Sequence, residues 1–387
     1  MIVYIVALLF LLYGSITFDF KANNQNKREW FMFEYIVLVL ISGFRYEVGG
    51  DTLVYMMRYA DYPLLSQLST LNFSEMDNGP LWYVLVALCK AISQEFYFFQ
   101  IIHALIVNGA FFCFFKKHSI FPFTAVLLYA LLSFFYYNTE ILRASLAVSV
   151  FLLIGFDALK KKKWVLYLIS IVISFGFHTE ALFLLVLPLC HYLYRIRITK
   201  ISLLITIAIG IVLLTVLNIM PYLQEYLNFS EAMDRRLNGY YADDRTVSFN
   251  GVIALILNNF IWIIIAVIHK DSERFENAFF LLFIVILIQT TKYTVFLGRV
   301  IDFVKPVLLL MLADAFWNIF KQRMYSTQIF KILLLTFTMY TGFMQYIDGP
   351  KGMEYWRRYI PYHSIFTDEH DYGRINMMYN YRNRRYE

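Results

Sequence analysis

Charged side chains at the edges of apolar segments are the features of this sequence that could do chemistry. Ionisable groups are costly in a membrane, so each is a functional candidate, although a long side chain can also extend to the surface. Arg45 ends an apolar run and is followed by Gly49-Gly50, a pair that allows a sharp turn or close approach to a ligand. Asp51 and Tyr55 follow one helical turn apart. Extension to the surface would explain Arg45 but not these two side chains.

Glu140 and Arg143 form the second candidate group, in the middle of the apolar stretch 119–159. This stretch is long enough for two crossings, with a hinge at these residues. The two side chains are at i and i+3 and so face the same side of a helix start. A structural ion pair and a functional role are both open.

His178 is the third candidate, within Gly176-Phe177-His178-Thr179-Glu180. The apolar run 164–194 is short for two full crossings. It therefore predicts a hairpin whose tip lies below the outer membrane surface. His178 could act in chemistry there, or it could only hydrogen-bond across the hairpin and hold its shape.

Arg299, Asp302 and Lys305 are the fourth group, spaced at i, i+3 and i+6 just before Pro306. This spacing places them on one stripe of a helix. Three charges in one membrane helix favour a cavity-lining role. The sequence has no Walker loop, GxGxxG or HExxH motif, and its three cysteines lack metal-ligand spacing.

The elements that must position these residues are membrane helices. Of 387 residues, 60% are hydrophobic and only 16% are charged, with a mean hydropathy of +0.57. Apolar runs near 20 residues recur along the chain without alternation, which indicates membrane-spanning helices. We expect an all-α, polytopic integral membrane helical bundle with roughly 12–14 transmembrane helices. The net charge of +6 reflects basic cytoplasmic loops, and no nucleic-acid partner is expected.

Loop charges predict the topology. Lys160 to Lys163 mark a cytoplasmic loop, and the basic residues that follow place loop 221–250 and the tail 348–387 outside. Loop 45–78 is also assigned outside, and residues 1–347 are expected to form one transmembrane domain. Three apolar segments lie between two loops that are both basic and therefore both expected in the cytoplasm. A chain that returns to the side it left must cross the membrane an even number of times. We therefore expect the short segment 79–93 to be re-entrant or interfacial, the alternative being a weak crossing hidden within 46–78.

This topology puts Arg45, Arg143, His178 and Arg299 near the outer face. A shared basic cavity that opens outward is the simplest interpretation. Arginine binds phosphate oxygens through a planar fork of donors, so such a cavity suits a phosphate or diphosphate group.

Five short motifs follow one another over most of the chain. They are Arg45-Tyr46 with Gly49-Gly50-Asp51 and Tyr55, an "RxxLA" helix start at Arg143, "FHxxA" at His178, "GR" at Gly298-Arg299 and a "PY" motif in Tyr359-Ile360-Pro361-Tyr362. In type and order they resemble the motifs of EpsG-type members of the Wzy polysaccharide polymerases. Ala144-Ser145 departs from the pattern, because many relatives carry Gln after the arginine.

The resemblance implies a glycosyltransferase of the bacterial inner membrane, with its active site facing the periplasm. It would transfer a growing glycan from undecaprenyl diphosphate to the non-reducing end of a carrier-linked repeat unit. The expected partners are this lipid-linked oligosaccharide and membrane lipids, and a chain-length regulator is a further candidate. No metal or other cofactor is expected.

Roles can be assigned within that reaction. The acceptor hydroxyl needs a base, for which His178, Asp51 and Glu140 are candidates. The departing diphosphate needs positive charge, from Arg45, Arg143, Arg299 and Lys305. Tyr55 and Asp302 would support these groups. An O-antigen ligase with a similar cavity and a transporter or flippase of lipid-linked oligosaccharide remain alternatives, although the inverted repeats typical of transporters are not found.

Overall fold

The computed structural model describes residues 1–70, 78–196, 199–216, 274–289, 294–321, 325–347, 355–367 and 369–383. Within these ranges the chain is mostly helical and has no β-strand, apart from one antiparallel bridge between Arg45 and Ser364. The all-α membrane bundle expected from the apolar runs is confirmed. The predicted loop 221–250 and the predicted segment 251–268 lie outside the described residues.

The helices follow the apolar runs closely. In chain order they are α1 (Ile2–Gly14), α2 (Lys27–Gly43), α3 (Gly50–Met57), α4 (Pro80–Ile92), α5 (Phe96–His118), α6 (Pro122–Leu132), α7 (Leu142–Val150), α8 (Phe156–Lys160), α9 (Trp164–Phe177), α10 (Cys190–Leu193), α11 (Lys200–Val216), α12 (Phe275–Gln289), α13 (Thr294–Lys321), α14 (Tyr325–Ile347) and α15 (Tyr372–Asn383). Short π-helical or 3-10 segments adjoin them at Ser15–Phe20, Leu65–Thr70, Tyr136–Glu140, Phe151–Gly155, Thr179–Leu189 and Tyr355–Arg358.

Length and composition identify the strongest membrane-spanning candidates among the described helices. Ile2–Phe20, Phe96–His118 and Leu142–Lys160 are long and apolar enough to cross a bilayer. Several shorter apolar helices accompany them, including α9 and α12. Large apolar side chains such as Val165 and Val172 point outward from α9, as expected of a helix that faces lipid.

The hinge predicted inside the stretch 119–159 is present. Helix α6 ends at Leu132, a π-helical turn follows at Tyr136–Glu140, and α7 begins at Leu142. Buried amides hold this turn: Asn138 accepts a hydrogen bond from the Asn108 side-chain amide and donates one to the Tyr129 hydroxyl. The hinge places Glu140 and Arg143 at one end of the bundle, which we call the site end.

Contacts at the opposite end join the basic segments that were predicted to be cytoplasmic. Lys117 pairs with Asp157, and Lys160 pairs with Glu276 at 3.0 Å. On α13, Trp317 donates a hydrogen bond to Thr124, near the start of α6, at 2.6 Å. These pairs lie far along α5, α6 and α7–α8 from the hinge, so basic loops and candidate site residues occupy different ends of the bundle.

Helix α4 both starts and ends at the site end. Its first residues pack on the end of α9, where Gly79 approaches the Gly176 carbonyl so closely that a Cβ would clash. Near its last turn, buried Lys90 donates hydrogen bonds to the carbonyls of Tyr59, Ala60 and Tyr62. The re-entrant or interfacial position of 79–93 in the membrane stays a prediction.

Candidate functional site

Glu140 accepts hydrogen bonds from several parts of the chain at the site end. The amide of Gly50 donates to its Oε1 at 2.8 Å, and the Tyr359 hydroxyl donates to the same atom at 3.0 Å. Its Oε2 forms an ion pair with Arg358 at 2.7 Å. The carboxylate is buried and links three distant parts of the chain: the segment after α2, the hinge and the tail. Its partner is Arg358 rather than Arg143, the neighbour from which an ion pair was considered.

The glycine pair before α3 is needed for this contact. Gly49 has a φ of +108°, a conformation that side-chain-bearing residues rarely adopt. A Cβ on Gly50 would lie 2.6 Å from Glu140 Oε2. The sequence indicated a sharp turn or a close approach here, and the structure uses the pair for both, with Glu140 as the group approached.

Arg45 is buried and directed into the protein. Its guanidinium donates hydrogen bonds to the carbonyls of Ser42, Val48 and Asn138 and to the Thr52 hydroxyl. A guanidinium has five N–H donors, and these contacts occupy most of them. Arg45 therefore fastens the end of α2 to the hinge, and the sequence-based expectation that it binds diphosphate has no geometric support.

Arg143 lies in a different environment, half-buried at the start of α7. Its Nε donates to the Tyr55 hydroxyl at 2.7 Å. Within the described part of the chain, its two terminal nitrogens have no hydrogen-bond partner. The Tyr55 ring packs against Trp82 with centroids 4.9 Å apart, so an aromatic contact fixes the hydroxyl that orients the guanidinium. Tyr55, which the sequence indicated only as a supporting residue, contacts this arginine directly.

His178 lies between α9 and the 3-10 segment that follows it and is 5% exposed. Its Nδ1 pairs with the buried carboxylate of Glu180. A carboxylate on Nδ1 fixes the orientation of the imidazole and directs Nε2 away from it. Glu180 was noticed in the sequence only as a neighbour, yet its carboxylate is the partner of the His178 ring.

A hydrogen bond between α7 and α9 sets the level of His178 relative to Arg143. The Ser174 hydroxyl donates to the Ala147 carbonyl at 3.0 Å. Arg143 lies four residues before Ala147, and His178 lies four residues after Ser174, on helices that run in opposite directions. Both are therefore about 6 Å beyond this bond, towards the site end.

The stripe on α13 also reaches the hinge. The Tyr136 hydroxyl donates to Asp302 at 3.1 Å, and the Tyr137 hydroxyl donates to the Asp302 carbonyl at 2.7 Å. Lys305 lies over the Tyr136 ring, with its Nζ 5.4 Å from the centroid. Arg299 belongs to the same helix one turn before Asp302, and its side chain lies outside the described residues.

Asp51 is placed differently from the other candidates. It occupies the first turn of α3, and its residue is exposed. It shares this short helix with Tyr55, which contacts Arg143. Asp51 is therefore at the site end but on its surface, whereas His178 and Glu140 are inside.

The tail after α14 forms part of this end of the bundle. Its backbone joins the segment after α2: Tyr46 donates to the His363 carbonyl, and Gly49 donates to the Arg358 carbonyl, both at 2.8 Å. Arg374 on α15 is fully buried, and its guanidinium donates to the carbonyls of Glu47 and Arg357. The sequence offered only the motif Tyr359-Ile360-Pro361-Tyr362 as a signal here and did not identify Arg358 or Arg374.

Burial shifts the pKa of two tail residues. It raises the pKa of the Tyr362 hydroxyl to about 12, and it lowers the pKa of the Arg374 guanidinium below its usual value. Tyr362 therefore stays protonated at neutral pH and can donate its hydrogen bond to the Ile41 carbonyl at 3.3 Å. These contacts make the tail a packed component of the site end.

The described residues include no group of three or more His, Cys, Asp or Glu side chains arranged to hold a metal ion. The arrangement instead offers a half-buried guanidinium, an imidazole–carboxylate pair and aromatic hydroxyl groups. These groups can bind an oxyanion and move a proton, as a group transfer between oxygen atoms requires.

Comparison with known protein families gives one match: a model described as the EpsG family aligns with residues 28–364, nearly the whole chain. The matched region includes both the hinge and the first part of the tail, with Arg358 and Tyr359. Comparisons with curated proteins and with solved structures give no match.

Proposed function

Because this chain belongs to the EpsG family, a family of Wzy-type polysaccharide polymerases, we propose that it polymerises a lipid-linked glycan in the bacterial inner membrane. The donor is a growing glycan on undecaprenyl diphosphate, and the acceptor is the non-reducing end of a carrier-linked repeat unit. The site end faces the periplasm. Family membership supports the class of reaction, and the site geometry supports the roles that follow.

The single observation that carries the proposal is the hydrogen bonding of the Arg143 guanidinium. Arg45, Arg358 and Arg374 already bind protein oxygens, whereas Arg143 keeps its two terminal nitrogens without a partner in the described part of the chain. A fork of this kind matches two phosphate oxygens, and its charge would stabilise the diphosphate as it leaves. Arg299, which lies near the start of α13 at the site end, is a second candidate ligand for the diphosphate.

His178 is the proposed base. The acceptor hydroxyl gives its proton to Nε2 while its oxygen attacks the anomeric carbon of the donor. The bond from that carbon to the diphosphate oxygen breaks, and undecaprenyl diphosphate leaves with the electron pair. Glu180 on Nδ1 stabilises the imidazolium that forms, as the carboxylate does in other histidine–carboxylate pairs.

Glu140 receives a positioning role in this scheme. Its two oxygens already accept four hydrogen bonds, from Thr139, Gly50, Tyr359 and Arg358, about as many as a carboxylate can accept. Glu140 is therefore poorly placed to act as a base. It ties the hinge to the tail and so fixes the start of α7, where Arg143 lies. Asp51 remains the second candidate base because it is exposed at the same end.

The test of function is the glycan profile of a deletion strain. A polymerase mutant should lose long polymer while single carrier-linked repeats still accumulate on the periplasmic side. A ligase mutant would retain long polymer on its lipid carrier, and a flippase mutant would accumulate repeats on the cytoplasmic side. Either of the last two profiles would contradict the proposal.

A further inference from the structure

An apolar crevice runs along α1 and begins beside the proposed active site. It consists of two adjoining cavities of about 490 and 590 Å³, which share Leu8, Leu131 and Met339 in their walls. We call the cavity of about 490 Å³, nearer the site end, the upper cavity and the other the lower cavity. The walls of both come mainly from α1, α6 and α14, with α2 added at the upper cavity and α13 at the lower one. We call this feature the α1 crevice.

The upper end of the α1 crevice is continuous with the contacts of Glu140. Tyr4 and Phe135 line the upper cavity, and the Tyr4 hydroxyl donates to the Tyr359 carbonyl at 2.8 Å. The Phe135 ring packs on the Tyr359 ring with centroids 4.9 Å apart. Tyr359 in turn donates to Glu140. Tyr359 therefore separates the mouth of the crevice from Glu140, which precedes Arg143 by three residues.

The lower cavity offers no unpaired polar group to a ligand. Ser15 and Thr124 hydrogen-bond to each other at 2.8 Å, and Trp317 donates to Thr124 at 2.6 Å. The Thr338 hydroxyl donates to the Leu334 carbonyl. The remaining lining side chains are hydrocarbon or aromatic. A hydrocarbon chain is the occupant that such walls favour, because it leaves every polar group with its present partner.

The length of the crevice indicates which kind of hydrocarbon chain could fill it. The crevice extends from Tyr4 to Phe20, which corresponds to roughly 20–25 Å along the helix. Half of the bilayer core, the depth reached by an acyl chain from one leaflet, is only about 15 Å. A chain anchored at the site end and lying along the whole crevice must therefore be longer than an ordinary acyl chain.

On these grounds we propose that the α1 crevice binds the polyprenyl chain of the lipid-linked substrate, with the diphosphate held at the site end near Arg143. This inference rests on the proposed function and adds to it a defined lipid-chain site. It predicts that the enzyme recognises carrier length, since a longer chain makes more van der Waals contacts with the crevice walls.

The test compares repeat units on the full-length carrier with the same repeats on a carrier cut to two or three isoprene units. The wild-type enzyme should have a lower KM for the long carrier. Ala7→Phe, which fills the upper cavity, should raise the KM for the long carrier at least about threefold, the effect of losing a handful of van der Waals contacts, and leave the short carrier nearly unaffected. Val6→Phe is the matched control, because Val6 is 58% exposed and lines neither cavity.

The outcomes of this experiment distinguish a failure of the crevice assignment from a failure of the polymerase function. Turnover of both carriers with an unchanged length preference in Ala7→Phe would overturn the crevice assignment and leave the proposed function intact. Failure of the wild-type enzyme on both carriers would instead reject the polymerase function.

A second measurement does not depend on the folding of a variant. Polyprenyl phosphate with a diazirine at its far end should crosslink the wild-type protein on the lower part of α1, and unlabelled polyprenyl phosphate should compete. Equal competition by phosphatidylglycerol would mean that the crevice holds ordinary bilayer lipid, and it would overturn the proposal.

Discussion

At the scale of single residues, the arginines of the site end differ in what they bind. Arg45 and Arg374 donate to backbone carbonyls, and Arg358 forms an ion pair with Glu140. Arg143 contacts a tyrosine hydroxyl through Nε alone among the described residues. Removing the first three should affect mainly the structure, whereas removing Arg143 should affect mainly the chemistry.

Replacing Arg143 with Ala should abolish long polymer while the amount of protein in the membrane stays normal, because the diphosphate loses its ligand. Arg143→Lys should recover little activity, since an ammonium lacks the planar fork. Arg58→Ala is the control, because Arg58 is an exposed arginine that ends the neighbouring helix α3. Complementation of a deletion strain and a gel of its glycans provide the measurement. Full polymer in Arg143→Ala would refute its role as a ligand.

His178→Gln should yield a folded protein that binds the lipid-linked repeat but does not polymerise it. Glu180→Gln should lower kcat by about 10²–10⁴-fold and leave KM little changed, because the imidazolium loses its counter-charge in the transition state. His191→Gln, at the opposite end and bonded to the Leu159 carbonyl, is the control. Near-normal turnover in His178→Gln would transfer the base role to Asp51.

At the scale of elements, the tail and the hinge form one unit. Arg358 and Tyr359 reach Glu140 from the tail, and Arg374 fastens α15 to the segment after α2. The hinge sets the start of α7 and therefore the position of Arg143. The tail thus acts on the site through the backbone that it holds in place.

Arg358→Ala should lower stability strongly, by about 3–5 kcal/mol, because it leaves a buried carboxylate without its cation. The double variant Glu140→Gln/Arg358→Gln should recover much of this loss, since no unpaired charge remains. Thermal unfolding in detergent measures both effects, and Arg357→Ala tests an exposed arginine at the adjacent position. If Arg358→Ala unfolds at the wild-type temperature, the ion pair does not hold the hinge to the tail.

At the scale of the whole molecule, the two ends differ in composition and bonding. Lys117 and Lys160 pair with acids at the opposite end, whereas the site end carries Arg143 and His178. The excess of lysine near Lys160 to Lys163 favours a cytoplasmic location for the opposite end. The site end would then face the periplasm, where carrier-linked repeats are joined in the proposed reaction.

Cysteine labelling tests this orientation. In a background without Cys89, Cys113 and Cys190, an exposed Glu369→Cys in the tail should react with a membrane-impermeant maleimide in intact spheroplasts. Lys161→Cys should react only after lysis. The reverse pattern would place the site end in the cytoplasm and remove the basis for a periplasmic polymerase.

The sequence by itself determined the fold class and the places where chemistry could occur. Apolar runs predict membrane helices because the bilayer imposes a fixed length and a closed backbone, both of which are local properties. For the same reason the hinge at Glu140 and the hairpin tip at His178 were visible as polar interruptions of those runs. The family resemblance drew on the same motifs, and the match over residues 28–364 confirmed it.

Only the tertiary structure determined the partner of each charged side chain. Glu140 could pair locally with Arg143 three residues away, yet its ion-pair partner is Arg358, 218 residues further along the chain. Arg45 looked like a ligand because sequence shows a charge but not the carbonyls around it. Backbone oxygens are present at every position, so no pattern marks those that converge on a guanidinium. Packing alone brings them together, and it thereby separates the arginines that hold the fold from the one proposed to bind substrate.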